Sequence, residues 1–158
     1  MNFWQTKTLD ELSHAEWESL CDGCGQCCLH KIEDVDSQKY YCTNIACKLL
    51  DLQTARCKDY KNRQQYVPDC VALTPKMVKN LGWLPESCAY RRLSENKGLE
   101  AWHPLLSGTA QTVVDAGISV IGKVESESNY KNEDAALDAW MDKPIKPLWV
   151  QPIHKTKY

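Results

Sequence analysis

The sequence predicts an α+β fold, a small irregular single domain rich in short helices. The chain has 158 residues, which fits one domain of ordinary size. Its helix and strand signals are brief and closely punctuated by glycine and proline. All nine cysteines, Cys21, Cys24, Cys27, Cys28, Cys42, Cys47, Cys57, Cys70 and Cys88, fall in the first 88 residues. They sit on several different segments, so whatever gathers them staples those segments together. The aromatic complement, six Trp and seven Tyr against one Phe, points to a modest and patchy core.

Taken in order, Ser13 and Glu16 of "SHAE" make a capping box. It starts a short helix that ends near Leu20 and delivers Cys21 from a helix C-terminus. "CDGCGQCC", residues 21 to 28, then sits on a turn, because Gly23 and Gly25 tolerate positive φ and let backbone amides point at sulfur. "QKYYCT" reads as a strand with Tyr40 and Cys42 on one face. "DLQTARCKDY" reads as a turn leading into a helix.

Thr74 as N-cap, Pro75 at the first helical position and Gly82 beyond the end predict a helix over 75–81. "PESCAYRRLSENKG" repeats that arrangement with Pro85 and Gly98, placing Cys88 in a first helical turn, where the dipole favours a thiolate. "GISVIGKVES" is a strand candidate, and "EDAALDAWMDK" a helix stopped by Pro144. The closing "KPIKPLWVQPIHKTKY" reads first as a loose tail and second as a docking peptide for a protein partner. Trp4, Trp17, Trp83, Trp102, Trp140 and Trp149 read as core anchors.

A formal charge of −2 gives no global basic field, so nothing indicates nucleic acid. The acidic, amphipathic N-terminus has no apolar stretch of signal-peptide type, and no run of about 18 apolar residues exists to span a membrane. These features predict a cytoplasmic protein. A reducing cytoplasm keeps structural disulfides rare, and nine thiols cannot all pair. Clustered cysteines there point to a metal or to redox chemistry.

In a CxxC turn two thiolates converge on one ion. Cys21, Cys24 and Cys27 form CxxCxxC, a spacing that resembles the run of thiolates binding a [4Fe-4S] cluster, with the fourth ligand drawn from Cys47, Cys57, Cys70 or Cys88. Zinc is the other reading: eight thiols also suffice for two four-thiolate zinc sites, or for a bridged site in which Cys27 and Cys28 serve different ions. A zinc ribbon normally carries two CxxC pairs, whereas the distal cysteines here are solitary, and the spacing leans towards iron–sulfur.

"CDGCGQCC", the lone Cys47 and "CKDYKNRQQYVPDC" resemble the CxxCxxCC cysteine-cluster family, whose cysteines are expected to chelate zinc or iron. "FWQTKTLDELSHAEWESLCDGCGQCCLHK", "TNIACKLLD", "WLPESCAYRRL" and "AWHPLLSG" look like its YcgN-type bacterial branch. The resemblance covers roughly residues 3 to 125. It implies a cysteine-cluster metal-binding domain over 1–125, with 126–158 a C-terminal helix and tail packed on it or extending from it. The motif positions carry over as metal ligands: Cys21, Cys24, Cys27, Cys28, Cys47, Cys57, Cys70 and Cys88. Cys42 departs from the branch pattern and is left out. Some larger relatives look like flagellin lysine N-methylases, but this chain has no glycine-rich loop for a methyl-donor cofactor, and methylation is not carried over.

His30 reads either as a fourth ligand or as a residue behind the ligands, His103 as a satisfied core or turn histidine, and Arg91 and Arg92 as either neutralisers of thiolate charge or a solvated helix face. The resulting expectation is a protein that holds iron, including a [4Fe-4S] cluster, or zinc, for metal handling or electron transfer. A zinc-stapled interaction module and a CxxC thiol redox enzyme are the alternatives. No pairing of nucleophile with general base and no phosphate loop is visible, so enzyme status stays open.

Overall fold

The computed structural model describes residues 1–36, 38–141 and 152–154. Its α+β architecture follows from short, individually capped elements. The helices are α1 (Phe3–Thr6), α2 (His14–Ser19), α3 (Arg63–Tyr66), α4 (Pro75–Val78), α5 (Ala89–Ser94), α6 (Pro104–Ser107), α7 (Gln111–Asp115) and α8 (Glu133–Met141). The strands are β1 (Leu29–Asp34), β2 (Lys39–Ala46), β3 (Leu50–Asp51), β4 (Arg56–Cys57), β5 (Glu125–Ser126) and β6 (Pro152–His154). Among the described residues no helix is long and apolar enough to cross a membrane.

The main sheet is built on β2. One edge pairs antiparallel with β1, while β5 runs parallel to Ile45–Ala46 and β6 antiparallel to Lys39–Tyr41. The register between β1 and β2 slips between Leu29 and Lys31. Thr43, fully buried, fills the slip: its hydroxyl donates to the His30 carbonyl at 2.7 Å and accepts from the Ile45 amide at 3.1 Å. Such a bulge re-aims the strand. Here it sets Leu29 opposite Ala46, and the Cys47 amide donates to the Cys28 carbonyl at 2.8 Å, so that Cys28 and Cys47 become neighbours.

Two apolar cores form on either side of the cysteine turn. The helical core holds Trp17, Leu20, Val78, Leu84, Ala89 and Tyr90. Trp17 and Tyr90 rings meet with centroids 4.5 Å apart, and the Tyr90 hydroxyl donates to the Trp17 carbonyl at 2.8 Å. The sheet core holds Leu29, Cys42, Ala46, Leu50, Ala55 and Val120. Leu20 therefore enters one core and Leu29 the other, and residues 21–28 cross the seam between them. Cys88 packs against the first core and Cys28 against the second.

Several local expectations are met. Ser13 caps α2, accepting from the Glu16 amide, and Thr74 caps α4, accepting from the Met77 amide. Others are corrected. The 75–81 helix stops at Val78, with Leu81 and Leu84 recruited into or against the helical core instead. "DLQTARCKDY" does not lead directly into a helix. Asp51 folds its own turn, its Oδ1 accepting from the Gln53 and Thr54 amides, and β3 closes on β4 as a hairpin before α3 begins at Arg63. "GISVIGKVES" supplies only the two-residue β5, because Ile118–Val120 is spent holding the cysteine turn. Pro144 and most of the closing Pro/Lys-rich segment lie outside the described residues, apart from Pro152–His154, which pair with β2.

Candidate metal centre

Local backbone chemistry shapes the turn. Leu20 ends α2 and is held from across the molecule by the buried His103, whose Nε2 lies 2.9 Å from the Leu20 carbonyl. The Leu105 amide donates to His103 Nδ1, so the ring proton sits on Nε2 and points at Leu20. This is the satisfied histidine that the sequence suggests, and it anchors the chain immediately before Cys21. Asp22 Oδ1 then accepts from the Cys24 amide at 2.9 Å, an Asx turn that folds the first CxxC. Gly25, at φ +80°, starts a single 3-10 turn over Gln26–Cys28. The Cys24 carbonyl accepts from Val120, and Gln26 Nε2 donates to Ile118, fixing the turn to the far segment.

All nine cysteines are free thiols. Eight of them fall into two groups. Asp22 lies within electrostatic reach of Cys21, Cys24, Cys27 and Cys88 and opposes ionisation of each, although Cys27, beside Cys28, is lowered overall. Burial is the larger cause for three: it pushes Cys21 up to about 11, Cys88 up to about 12, and Cys24 well above the usual thiol range. The second group is Cys28, Cys47, Cys57 and Cys70. Cys28 feels Cys47 and Cys57, and Cys47, raised by burial and then by Glu127, feels Cys70 and Cys57. The groups touch at the adjacent pair. The two neighbouring thiols are electrostatically linked, which eases ionisation of Cys27 and pushes Cys28 up. Cys21 and Cys27 are nevertheless open to solvent.

Cys42 stands apart, buried in the sheet core with its thiol towards the Thr43 carbonyl at 3.6 Å. His30 is turned to carboxylates, Nε2 to Glu127 at 2.7 Å and Nδ1 to Glu133 at 3.3 Å. Among the described residues these three donors lie within 4.8 Å of one another, and no three cysteine sulfurs approach so closely.

Of the two readings for Arg91 and Arg92, neutralisers of thiolate charge or a helix face, both arginines are engaged away from the cysteines. Arg91 bonds Glu95 and the Leu84 carbonyl, and Arg92 bonds Glu100 and the Gly98 carbonyl. Arg56 instead favours the Cys21 thiolate and Lys31 that of Cys27. Lys31 is held there by the Gln26 and Leu29 carbonyls at 2.9 and 2.7 Å, and by the Trp83 face. Cys88 is the N-cap of α5 rather than a first-turn residue, and although the Tyr90 and Arg91 amides favour its thiolate, desolvation wins and raises it. Asp22, Lys31 and Arg56 went unnoticed in the sequence; the Asp two residues before a cysteine amide was the one local signal.

The donor set fits a metal. Clustered cysteines on one turn, most of them with hindered hydration, are the soft donors that zinc or iron takes. Because burial keeps Cys21, Cys24, Cys47 and Cys88 protonated at neutral pH, binding must expel their protons. Zinc added to metal-free protein in weak buffer is therefore expected to release about three to four protons per centre, with affinity falling as pH drops. Indicator titration checks this; release of less than one proton per ion would contradict it.

Residues 20–89 match the CxxCxxCC family, whose printed description is "Putative zinc- or iron-chelating domain". A UPF0260 protein of Brucella canis is 52% identical over 145 residues, 92% of this chain and 93% of the relative. One of Mesorhizobium japonicum is 52% identical over 141 residues, 89% and 95% of the two chains. One of Rhizorhabdus wittichii is 56% identical over 125 residues, 79% and 86% of the two chains. No solved structure matches. With the cysteine turn inside the matched segment and half of all residues shared across nearly the whole length, the chain belongs to the UPF0260 family of bacterial proteins that carry the CxxCxxCC domain.

Proposed function

We propose that this chain is a cytoplasmic metal–thiolate protein whose centre is polynuclear iron, an iron–sulfur cluster, working in electron transfer or metal handling. The observation that carries the reading is the CxxCxxC run of Cys21, Cys24 and Cys27 on one turn: a zinc ribbon normally pairs two CxxC motifs, whereas the distal cysteines here are solitary, as the remote fourth ligand of an iron–sulfur cluster is.

Cys21, Cys24, Cys27 and Cys88 would hold such a cluster, and it would supply reversible uptake of single electrons. The protein's own part is binding and environment. Gly25 and the Asx turn orient the CxxC sulfurs, while Lys31 and Arg56 offset thiolate charge. Cys21 and Cys27, open to solvent, present the edge at which a redox partner would dock. Cys28, Cys47, Cys57 and Cys70 form a second thiol set, linked to the first through the adjacent Cys27 and Cys28.

The test is metal and sulfide content, with the ultraviolet-visible spectrum, on protein purified without oxygen. We expect about four irons per filled thiol group, matching acid-labile sulfide and a brown absorption near 400 nm. Colourless protein carrying zinc and no sulfide would replace this reading with a zinc-stapled module.

A further inference from the structure

His30 lies at the register slip between β1 and β2, and a slip of this kind locally re-aims side chains. It faces two carboxylates from much later in the chain. Its Nε2 lies 2.7 Å from Glu127, in the single 3-10 turn Glu127–Asn129 that follows β5, and its Nδ1 lies 3.3 Å from Glu133, the first residue of α8. The Glu127 carboxylate is fixed from behind, its other oxygen accepting from the Lys48 amide at 2.7 Å. His30 and Glu127 are largely covered and Glu133 is exposed, so the group opens to solvent on one side. A neutral imidazole has one N–H and one lone pair. It can donate to only one of these carboxylates, and the other then faces a lone pair. Among the described residues the ion pairs of Glu127 and Glu133 go to His30 alone, so no lysine or arginine resolves the conflict. A proton on the second ring nitrogen would offset one of the two negative charges, whereas a divalent ion offsets both.

We propose that His30, Glu127 and Glu133 form a second metal site, which takes one divalent first-row transition ion on nitrogen and oxygen donors and is separate from the thiols. One ligand atom from each residue lies within 4.8 Å of the other two. Donors bound at about 2.1 Å to one ion stand about 3–4 Å apart, and rotation of the exposed Glu133 side chain closes the difference. The imidazole favours a transition ion over magnesium or calcium, which take oxygen donors. With no thiolate in the set, the site suits manganese, iron, cobalt or zinc in the divalent state, and water completes the shell. Its donors come from β1, the 3-10 turn and α8, so the ion clasps the later two elements to the sheet that follows the cysteine turn. This site goes beyond the iron–sulfur reading and does not depend on it.

Manganese(II) is the probe. Of the first-row divalent ions it binds most weakly and prefers oxygen donors to thiolate, so it leaves the cysteine centre alone, and its unpaired electrons report binding directly. Protein purified without oxygen is washed with citrate, to empty sites built on oxygen and nitrogen, and titrated with manganese(II) under electron paramagnetic resonance. We expect one ion per chain, with electron spin-echo modulation from a directly bound imidazole nitrogen, a readout on the wild type that needs no variant to fold. Glu133→Gln, a change at an exposed helix start, should weaken binding about tenfold or more and leave the metal content of the thiols unchanged. Glu127→Gln should weaken it at least as much. No stoichiometric binding by the wild type, a bound ion without nitrogen modulation, or unchanged affinity in either variant would overturn the site. None of these outcomes alters the iron and sulfide content on which the cluster reading is judged.

Discussion

Chelation of the bound metal is expected to unfold the cysteine-bearing part of the chain, seen as loss of helical circular dichroism and of the main thermal transition. The described helices run from four to nine residues, below the ~12–15 at which an isolated helix becomes even marginal in water. They persist through tertiary contacts, and those contacts are thin. Of the fifteen buried apolar residues described, Cys42, Ala46, Ala55, Ala89 and Ala136 are small. The two cores are bridged by residues 21–28, with Cys88 reaching in from the helical side and Cys47 and Cys57 from the sheet side. Removing the metal frees the thiols that close that seam. Structural thiolate sites contribute on the order of 10 kcal/mol, comparable with the ~5–15 kcal/mol that holds a whole domain folded. A fully chelated sample that kept its helix content and melting temperature would show that the apolar cores suffice.

Gly25→Ala should produce the next largest loss. Gly25 sits at φ +80°, and a Cβ there would lie 2.7 Å from Val120 Cγ2 and 3.2 Å from Ala55 Cβ, both buried in the sheet core. The left-handed conformation costs a non-glycine residue about 1–3 kcal/mol and overpacking about as much again. A total of about 2–5 kcal/mol corresponds to a fall in melting temperature of order 10 °C for a chain of this size. Because Gly25 opens the turn that aims Cys27 and Cys28, metal occupancy should fall with it. Gly122→Ala is the control: its φ is +77°, but no atom lies within 4 Å of the added Cβ, so only the smaller backbone cost remains. Equal melting temperatures for the two variants would remove the steric half of the argument.

Much of the candidate centre was legible before any coordinates, because its signals are local. The CxxCxxCC spacing, the two glycines inside it, the Ser13 capping box and the Thr74–Pro75 helix start each depend on residues close together along the chain. Local chemistry of that kind survives any fold. Less legible were the elements whose conformation is settled by distant partners. Val120 and Ile118 have strand-like side chains, yet their backbone is committed to Cys24 and Gln26. "DLQTARCKDY" contains helix formers, but the Asp51 carboxylate captures two amides and closes a hairpin first.

The sequence by itself determined the α+β class, the cysteine set, the turn that carries it and the family. Only the tertiary structure decided how the thiols divide around the Cys27–Cys28 pair, and that Lys31 and Arg56 rather than Arg91 and Arg92 face them. It also decided that Asp22, inside the cysteine turn, is buried with one oxygen bonded to the Cys24 amide and the other without a partner among the described residues. The reason is physical: turn geometry depends on neighbours along the chain, whereas charge compensation and desolvation depend on neighbours in space, which here come from distant positions, as Glu127 does to Cys47 from 80 residues further along.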